Sequence, residues 1–245
     1  MTSTERPLIL AHGETRIGGR AENQDVFHVG PTSVMVADGM GGHSGGKNAA
    51  EHVRNVFALR QHELSVRPDL LSHVIREAHL TITREAKQQP ALNDMGSTVA
   101  AVAFGRAGSK IVAHVQHVGD SRAYLLRDGL LELLTKDHSE GQRLVDKGVA
   151  VSPQSKLFSS LNRALGKHDA RPDYRTIEAR PNDVFLVASD GLRHLSADRI
   201  KEILSQNSDV REAARKLVEL ADEAGRLAKG GRHDNITAVV ARPAF

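Results

Sequence analysis

Residues 97 to 134 place several strand-like segments one after another with only short turns between them. The segments "STVAAVAF" (97–104), "KIVAHVQHV" (110–118) and "RAYLLR" (122–127) are mostly apolar and are bounded by Gly, Asp or Ser. A short turn can join only antiparallel neighbours, because a parallel pair needs a crossover of roughly a dozen residues or more. This region therefore predicts an antiparallel sheet and disfavours a doubly wound parallel one.

Helix-like segments flank that strand-rich region in sequence. Apolar residues recur with helical spacing over 46–60 and 70–86, and again from Val210 to Ala221. Three further strand-like segments lie outside the central region, at 33–37, 184–188 and 236–241. The predicted architecture is an antiparallel sheet system covered by helices, of the α+β class. No repeat or Pro/Ser-rich linker divides the chain, so residues 1–245 are expected to form a single domain.

The composition excludes several classes of protein. The 245 residues are 40% hydrophobic and 26% charged, and no apolar stretch approaches the roughly 20 residues of a membrane span. Cysteine is absent, which excludes disulfides, thiolate zinc sites and a cysteine nucleophile. The net charge of +3 is small and has no Lys/Arg block, so nucleic acid is not an expected partner. Residues 1–16 lack the features of a signal peptide, and we expect a cytoplasmic protein with no membrane partner.

The stretch "SVMVADGMGGHSGGKNAAEHV" (33–53) combines an apolar run with an aspartate and five glycines ahead of a helix-like pattern. Its segment "GGHSGGK" (41–47) has the spacing of the phosphate-binding loop of nucleotide hydrolases. Position 48, however, is Asn where that loop needs Ser or Thr to bind Mg²⁺. The antiparallel central region also contradicts the fold of those enzymes, so a P-loop nucleotide hydrolase is only a remote alternative.

Four times an apolar, strand-like segment lies next to an aspartate in a turn sequence. The four are Asp38 in "VADG", Asp120 in "HVGDS", Asp190 in "VASDG" and Asp234 in "HDN". Each alone is ordinary turn chemistry, but together they indicate carboxylates gathered at one edge of a sheet system. Like charges this close cannot all remain ionised without a counter-charge. Oxygen ligands favour Mg²⁺ or Mn²⁺ over zinc, so the pattern predicts a site for one or two hard divalent cations.

Eight short motifs, in order along the chain, resemble those of bacterial members of the protein phosphatase 2C family, the metal-dependent serine/threonine phosphatases. The motifs are "RAENQD" (20–25), "DGMGGHSGG" (38–46), "GST" (96–98), "HVGDSRAY" (117–124), "LTKDHS" (134–139), "NRALG" (162–166), "ASDGL" (188–192) and "DNIT" (234–237). The resemblance implies the family's four-layer αββα sandwich, in which two antiparallel sheets pack face to face with helices on both outer faces. This implied fold agrees with the α+β architecture predicted from the strand order.

The resemblance also implies a set of metal ligands for two Mn²⁺ or Mg²⁺ ions. Asp38 would bridge the two ions, and the backbone carbonyl of Gly39 would bind the second. Asp190 and Asp234 would complete the shell of the first ion. Asp120, together with Asp190, matches the pair that holds a third, more weakly bound Mn²⁺ or Mg²⁺ in bacterial relatives.

Around the ions, the resemblance assigns contacts with the substrate and with water. Arg20 would bind the substrate phosphate, a task that suits the bidentate fork of a guanidinium. Asp25 and Gln24 would contact the second ion through water, although many relatives have Glu where Gln24 stands. Met40 occupies the position of a proton-donating histidine in the animal enzymes, so a metal-bound water or another group would have to donate the proton, and His43 in the glycine loop is one candidate.

These assignments predict an enzyme that hydrolyses phosphoserine and phosphothreonine in proteins. A hydroxide bound between the two metal ions would attack the phosphorus, with Asp38 and Arg20 as the catalytic residues. Phosphorylated proteins are the expected substrates, and a serine/threonine kinase of the same cell is an expected partner. Residues 139–161 fall where the family has a mobile flap beside the active site. The alternative is a catalytically weak or inactive relative that binds phosphoproteins without hydrolysing them.

Overall fold

Two antiparallel sheets form the centre of the protein in the computed structural model, which describes residues 8–41, 45–152, 155–167 and 169–245. The strands in this part of the chain are β1 (Ile9–Arg16), β2 (Asp25–Val29), β3 (Ser33–Met40), β4 (Gly96–Ser97), β5 (Val99–Ala107), β6 (Lys110–Val118), β7 (Arg122–Arg127), β8 (Leu130–Leu133), β9 (Asp173–Ala179), β10 (Val184–Ala188) and β11 (Ile236–Pro243). One sheet has the order β1-β11-β10-β7-β8, and the other has the order β2-β3-β5-β6-β9, with β4 paired to β3.

Helices cover both outer faces of this pair of sheets. The helices of the described chain are α1 (Gly45–Val66), α2 (Leu71–Gln88), α3 (Glu140–Asp146), α4 (Ala197–Gln206) and α5 (Val210–Lys229). Helices α1 and α2 share a core with the β3 sheet, whereas α4 and α5 share one with the β10 sheet. No helix in the described residues is both long enough and apolar enough to cross a membrane.

Strand β3 shows why its sequence is apolar at almost every position. Val34 and Val36 belong to the core between the two sheets, whereas Met35 and Ala37 belong to the core beneath α1 and α2. Successive side chains of a strand point to opposite faces, so a strand covered on both sides must be apolar throughout. The four-layer arrangement therefore follows from strands with two buried faces.

The predicted α+β sandwich is confirmed, and most predicted strands and helices form close to their expected bounds. The segment 97–104 is the exception, because the pairing is interrupted at Thr98 between β4 and β5. Strands β1, β2 and β9 were missed, and all three lie at the edges of their sheets. Edge strands pair on one side only and bury less surface, so their sequences carry a weaker apolar pattern.

Candidate metal centre

Carboxylate side chains converge on a cavity of about 740 Å³ where strands of both sheets end. Four aspartates line it: Asp38 near the end of β3, Asp120 between β6 and β7, Asp190 after β10 and Asp234 before β11. Asp25, the first residue of β2, lies directly opposite Asp38 in the antiparallel ladder. The fold thus brings together the five aspartates that the sequence analysis singled out, while their roles as ligands remain predictions.

The backbone around Asp38 is fixed by the segment that joins β4 to β5. The Asp38 N–H donates to Oγ1 of Thr98 at 3.0 Å, and the Thr98 N–H donates to the Asp38 carbonyl at 2.8 Å. Ser97 Oγ donates to the same carbonyl at 3.1 Å. Oγ1 of Thr98 also lies 2.7 Å from Oγ of Ser121, the residue after Asp120. These hydrogen bonds connect the backbone of Asp38 with the turn that carries Asp120.

Two glycines allow the start of α1 to approach β3 closely. A Cβ atom on Gly39 would lie 2.0 Å from the carbonyl oxygen of Gly46, and a Cβ atom on Gly46 would lie 2.4 Å from Oε1 of Gln24. Real Cβ contacts are not this short, so a side chain on Gly39 would push the helix away from the strand. The glycines after Asp38 therefore serve close backbone packing at the wall of the cavity.

The glycine-rich loop after β3 includes residues 42–44, which lie outside the described residues. The proton-donor prediction for His43 therefore has no structural test here. Met40 does line the cavity, and its thioether has no proton to donate. The nucleotide-hydrolase alternative is disfavoured, because β3 pairs antiparallel with both β2 and β5, whereas a P-loop follows a strand of a parallel sheet.

Burial and mutual repulsion oppose ionisation of the clustered carboxyls. Removal from water raises the pKa of Asp38 well above its usual value, and the charges of Asp25 and Asp190 raise it further. Burial, assisted by the charge of Asp120, raises the pKa of Asp190 to about 7. Burial likewise raises the pKa of Asp25 to about 6 and is the main cause of a raised pKa at Asp120. Cations bound among these groups would allow all of them to remain ionised at neutral pH.

Two carboxylate oxygens of the cluster lack the partners that buried oxygens normally have. Oδ1 of Asp25 and Oδ1 of Asp190 are buried without a hydrogen bond to any described residue. The other oxygen of Asp25 accepts a hydrogen bond from Ser189 Oγ at 2.6 Å, which orients the carboxylate. An all-oxygen site with unpartnered carboxylate oxygens fits Mg²⁺ or Mn²⁺.

The rim of the cavity carries the residue predicted to bind phosphate. Arg20 lines the cavity, and its Nη2 donates to Oδ2 of Asp234 at 2.5 Å. The side chain of Arg20 is 58% exposed, so a ligand entering from solvent can contact it. Gln24 also lines the cavity, and its Nε2 donates to Oε2 of Glu22 at 3.2 Å.

The sequence analysis missed Arg193, which joins the cluster from the turn after Asp190. Its Nη2 donates to Oδ2 of Asp120 at 2.9 Å and to Oδ2 of Asp137 at 3.1 Å. Arg122 holds Asp137 from a second direction, through Nε at 2.9 Å and Nη2 at 2.7 Å. An arginine in a turn usually indicates a solvated surface, and no local pattern marks these long-range pairs.

Asn235 was also missed, although it lies in the quoted motif "DNIT". Its amide nitrogen donates to the carbonyls of Ile17 at 2.8 Å and Glu22 at 3.0 Å, and its Oδ1 accepts from the Gln24 N–H at 2.8 Å. Asn235 thus fixes the loop that carries Arg20 and Gln24. The two ends of these bonds are more than 200 residues apart in sequence, so spacing could not reveal them.

His117, His138 and Asp173 lie close enough together to share a cation, but their polar atoms already have protein partners. Nε2 of His117 donates to a backbone carbonyl at 2.7 Å, and Nδ1 of His138 accepts from the Gly119 N–H at 3.2 Å. The two imidazole rings stack with centroids 4.4 Å apart, and Arg163 donates to Asp173 at 2.7 Å. Burial lowers the pKa of His138 to about 4, which suits its role as an acceptor. Through the hydrogen bond from Gly119, this cluster stabilises the turn that carries Asp120.

Residues 139–161, the predicted flap, contribute to the wall of the cavity. Helix α3 occupies the first part of the segment, and a 3₁₀ turn (Lys156–Ser159) lies in the second part. A β-bridge between Ser139 and Leu161 holds the two ends together. Ser159 and Leu161 line the cavity, so the segment is placed where it can contact a bound substrate.

Comparisons with known proteins agree with this geometry. The sequence profile described as "Protein phosphatase 2C" matches residues 28–229. The serine/threonine protein phosphatase PstP of Mycobacterium tuberculosis is 38% identical over 231 residues, which cover 91% of this chain and 42% of that protein. The chain therefore spans less than half the length of that relative.

Two further matches cover nearly the whole of both proteins. The serine/threonine phosphatase stp of Listeria monocytogenes is 31% identical, over 97% of this chain and 92% of that protein. The crystal structure of the catalytic domain of PstP in complex with two manganese ions has a TM-score of 0.83 at 34% identity, over 97% of this chain and 99% of that one. Because profile, relatives and solved structure agree over nearly the whole chain, we conclude that it belongs to the protein phosphatase 2C family.

Proposed function

We propose that this chain is a metal-dependent phosphatase that hydrolyses phosphoserine and phosphothreonine in proteins. The observation that carries this proposal is the cavity lined by four aspartates, with Asp25 opposite Asp38, because Asp25 and Asp190 each have a buried oxygen without a partner among the described residues. Bare carboxylates would repel an anionic substrate, so such a cavity suits a phosphate ester only when cations neutralise it. The relatives from M. tuberculosis and L. monocytogenes carry the names of serine/threonine phosphatases, which supports the same reaction class.

In this proposal the ligands of two Mn²⁺ or Mg²⁺ ions come from the ends of three strands. Asp38 would be a ligand common to both ions, the Gly39 carbonyl would hold the second ion, and Asp190 and Asp234 would hold the first. When bound, the ions supply Lewis acidity, which lowers the pKa of a coordinated water and neutralises phosphate charge. The two manganese ions of the PstP structure support the choice of metal.

The remaining cavity residues orient the reactants. Arg20 pairs with Asp234 in this structure, and its guanidinium would be available to the substrate phosphate when Asp234 serves as a metal ligand. There its bidentate fork balances the charge that develops on the phosphoryl oxygens. Asp25, anchored by Ser189, and Gln24 would hydrogen-bond to water beside the second ion. His43 remains the sequence-based candidate for the proton donor.

We further propose that residues 1–245 act as one catalytic domain in which the flap, 139–161, contacts the phosphoprotein. Support for the flap's role comes from Ser159 and Leu161, which line the cavity. Phosphorylated proteins are the proposed substrates, and the kinase that phosphorylates them is the proposed functional partner.

Release of inorganic phosphate from a phosphothreonine peptide and from an aryl phosphate tests the function directly. Each assay is run with Mn²⁺, with Mg²⁺ and with a chelator, and we expect metal-dependent release that the chelator abolishes. The matched control is Asp198→Asn, which removes an exposed carboxylate of α4 outside the cavity and should retain activity. Peptide binding without phosphate release under any condition would instead support the binding-only alternative.

A further inference from the structure

One guanidinium, that of Arg193, contacts both carboxylates that the resemblance assigns to a third metal ion. Its Nη2 lies 2.9 Å from Oδ2 of Asp120, and its Nη1 lies 3.6 Å from Oδ2 of Asp190. Arg193 belongs to the 3₁₀ turn Asp190–His194. This turn directs its guanidinium towards the aspartate cluster. A fixed cation therefore stands between these two aspartates.

Arg193 is held in this position by a carboxylate that is not part of the predicted ligand set. Oδ2 of Asp137 accepts from Nη2 of Arg193 at 3.1 Å, and the side chain of Asp137 is only 3% exposed. Asp137 is fixed in turn by the bidentate contact with Arg122. An arginine guanidinium is not deprotonated in proteins, and here three carboxylates surround it. The guanidinium is thus charged at every physiological pH, and its removal would leave Asp120 and Asp137 with fewer donors.

A divalent ion bound to Asp120 and Asp190 would have to share their carboxylates with this guanidinium. An ion about 2.1 Å from Oδ2 of Asp120 would lie within roughly 5 Å of a nitrogen that carries the Arg193 charge. Like charges at that distance in a partly buried site repel strongly. The donor set at Asp120 therefore does not fit a third ion while Arg193 is in place.

The oxygens that do fit metal ions lie elsewhere in the cluster. Asp190 has Oδ2 near Arg193, whereas its Oδ1 is buried without a partner among the described residues. Oδ1 of Asp25 is in the same condition, and neither Asp25 nor Asp38 has an ion pair with Arg193 among the described residues. Arg193 thus leaves the part of the cluster around Asp25 and Asp38 to the two proposed ions.

We propose that Arg193 is a permanent, protein-supplied substitute for the third metal ion, so that this phosphatase binds two ions and uses Asp120 to anchor an arginine. The inference rests on the proposed function for its two metal positions, and it adds that the third position is closed. Arg193 is a positioning residue in this account, because it contacts the ligand Asp190 and not the reacting phosphate.

Counting bound Mn²⁺ tests this inference without reference to activity. Equilibrium dialysis, with free Mn²⁺ measured by its electron paramagnetic resonance signal, gives the number of ions per folded chain up to millimolar metal. We expect the wild-type protein to saturate at two ions in one affinity range, and Arg193→Ser to gain a third, weaker ion. In the double variant Arg193→Ser/Asp120→Asn the gain should disappear, and Arg193→Lys, which keeps the charge, should remain at two.

The single variant Asp120→Asn keeps the test open if Arg193→Ser does not fold. We expect this variant to bind two ions as the wild type does, because Asp120 is not a metal ligand in this proposal. A wild-type protein that binds three ions and hydrolyses phosphopeptide would overturn the role of Arg193 alone, as would loss of an ion in Asp120→Asn. A folded wild-type protein with neither bound Mn²⁺ nor activity would remove the proposed function itself.

Discussion

Two aspartates lie at opposite ends of β10, and the protein satisfies them in opposite ways. Asp183 directly precedes the strand, is 1% exposed and accepts from Arg127 at 2.8 and 2.6 Å, with a third hydrogen bond from the Arg180 N–H. Asp190 follows the strand, and its Oδ1 has no partner among the described residues, while Arg193 stays 3.6 Å from its Oδ2. A buried carboxylate with filled oxygens stabilises the fold, whereas one short of donors is available to a ligand. Substitutions at the two ends should therefore affect different properties.

In the aspartate cluster, to which the Asp190 end of β10 belongs, Asp38→Ala should abolish activity while the protein stays folded. Removal of the proposed bridging ligand should lower Mn²⁺-dependent phosphate release by more than about 100-fold, the upper loss seen when only an outer-shell partner of a metal is removed. The metal-free variant should unfold at the same or higher urea concentration than the wild type, because one of several repelling carboxyls is gone. Full Mn²⁺-dependent activity in this variant would contradict the assigned role of Asp38.

At the Asp183 end of β10, where both carboxylate oxygens accept hydrogen bonds, Asp183→Ala should lower stability and leave the cavity unchanged. The substitution strands the partner charge of Arg127, and breaking a buried pair costs about 3–5 kcal/mol of unfolding free energy. We expect the lower end of that range, since Arg127 keeps 22% of its side chain in solvent. Urea unfolding measures the loss, and Glu178→Ala, which breaks the exposed pair with Lys110, is the control with a much smaller effect. A mainly catalytic defect with unchanged stability would be the opposite of this expectation.

The pH dependence of the free energy of unfolding should come from the clustered aspartates, not from Asp183. In the metal-free protein the pKa of Asp190 is about 7 and that of Asp25 about 6, both raised chiefly by burial above the value of about 4 in an unfolded chain. The folded protein then holds more protons than the unfolded one, so the free energy of unfolding falls as the pH rises from about 6.5 to 8. Urea unfolding in chelator measures this fall, and saturating Mn²⁺ should remove it.

The window of that experiment begins at about pH 6.5 because buried histidines act in the opposite direction below it. Burial lowers the pKa of both His117 and His138, so acidification destabilises the fold where they would become charged in the unfolded chain. Asp190→Asn is the matched variant, in which the fall between about pH 6.5 and 8 should be reduced. A metal-free wild type whose stability is flat or rises over this window would contradict the assignment.

The smallest effect is expected from adding one charge to the cavity wall. Gln24→Glu places a further carboxylate at a position that lines the cavity and should tighten Mn²⁺ binding by roughly threefold to tenfold through electrostatic attraction. Titration calorimetry with Mn²⁺ measures the change in dissociation constant. Gln24→Met, neutral and of similar length, is the control for loss of the amide. Unchanged or weaker Mn²⁺ binding in Gln24→Glu would place the second ion away from this residue.

Much of the fold and of the aspartate cluster was predictable because both leave local patterns. The inner strands have two buried faces and are therefore apolar throughout. An aspartate next to such an apolar run indicates a turn before or after the strand. The edge strand β9, "DYRTIEA", is largely exposed and pairs with β6 alone among the described strands, so its composition shows little apolar pattern. A strand leaves an apolar pattern in the sequence because its side chains are buried, and edge strands bury fewer side chains.

The contacts of Arg193 and Asn235 were not predictable, since their partners are far away in the chain. Arg193 reaches Asp120 across 73 residues, and Asn235 reaches Gln24 across 211. A side-chain pair at such a separation depends on how the two sheets dock, which no window of sequence describes. The same limit explains why the sequence analysis gave no sign that Arg193 pairs with Asp120 and Asp190.

The pairing of β1 with β11 also determines the stage of folding at which the cavity is completed. Thr15 and Thr237 meet across 222 residues, and Asp234 lies two residues before the strand that closes this sheet. Contacts of such high sequence separation form late, because the entropy of closing a long loop is lost before they contribute. The repulsion between Asp234 and the rest of the cluster is therefore met only when this sheet closes, whereas Asp25 and Asp38 already face each other in the local β2–β3 hairpin. Metal ions present during refolding should accordingly leave the early collapse unaffected and slow the unfolding of the finished protein.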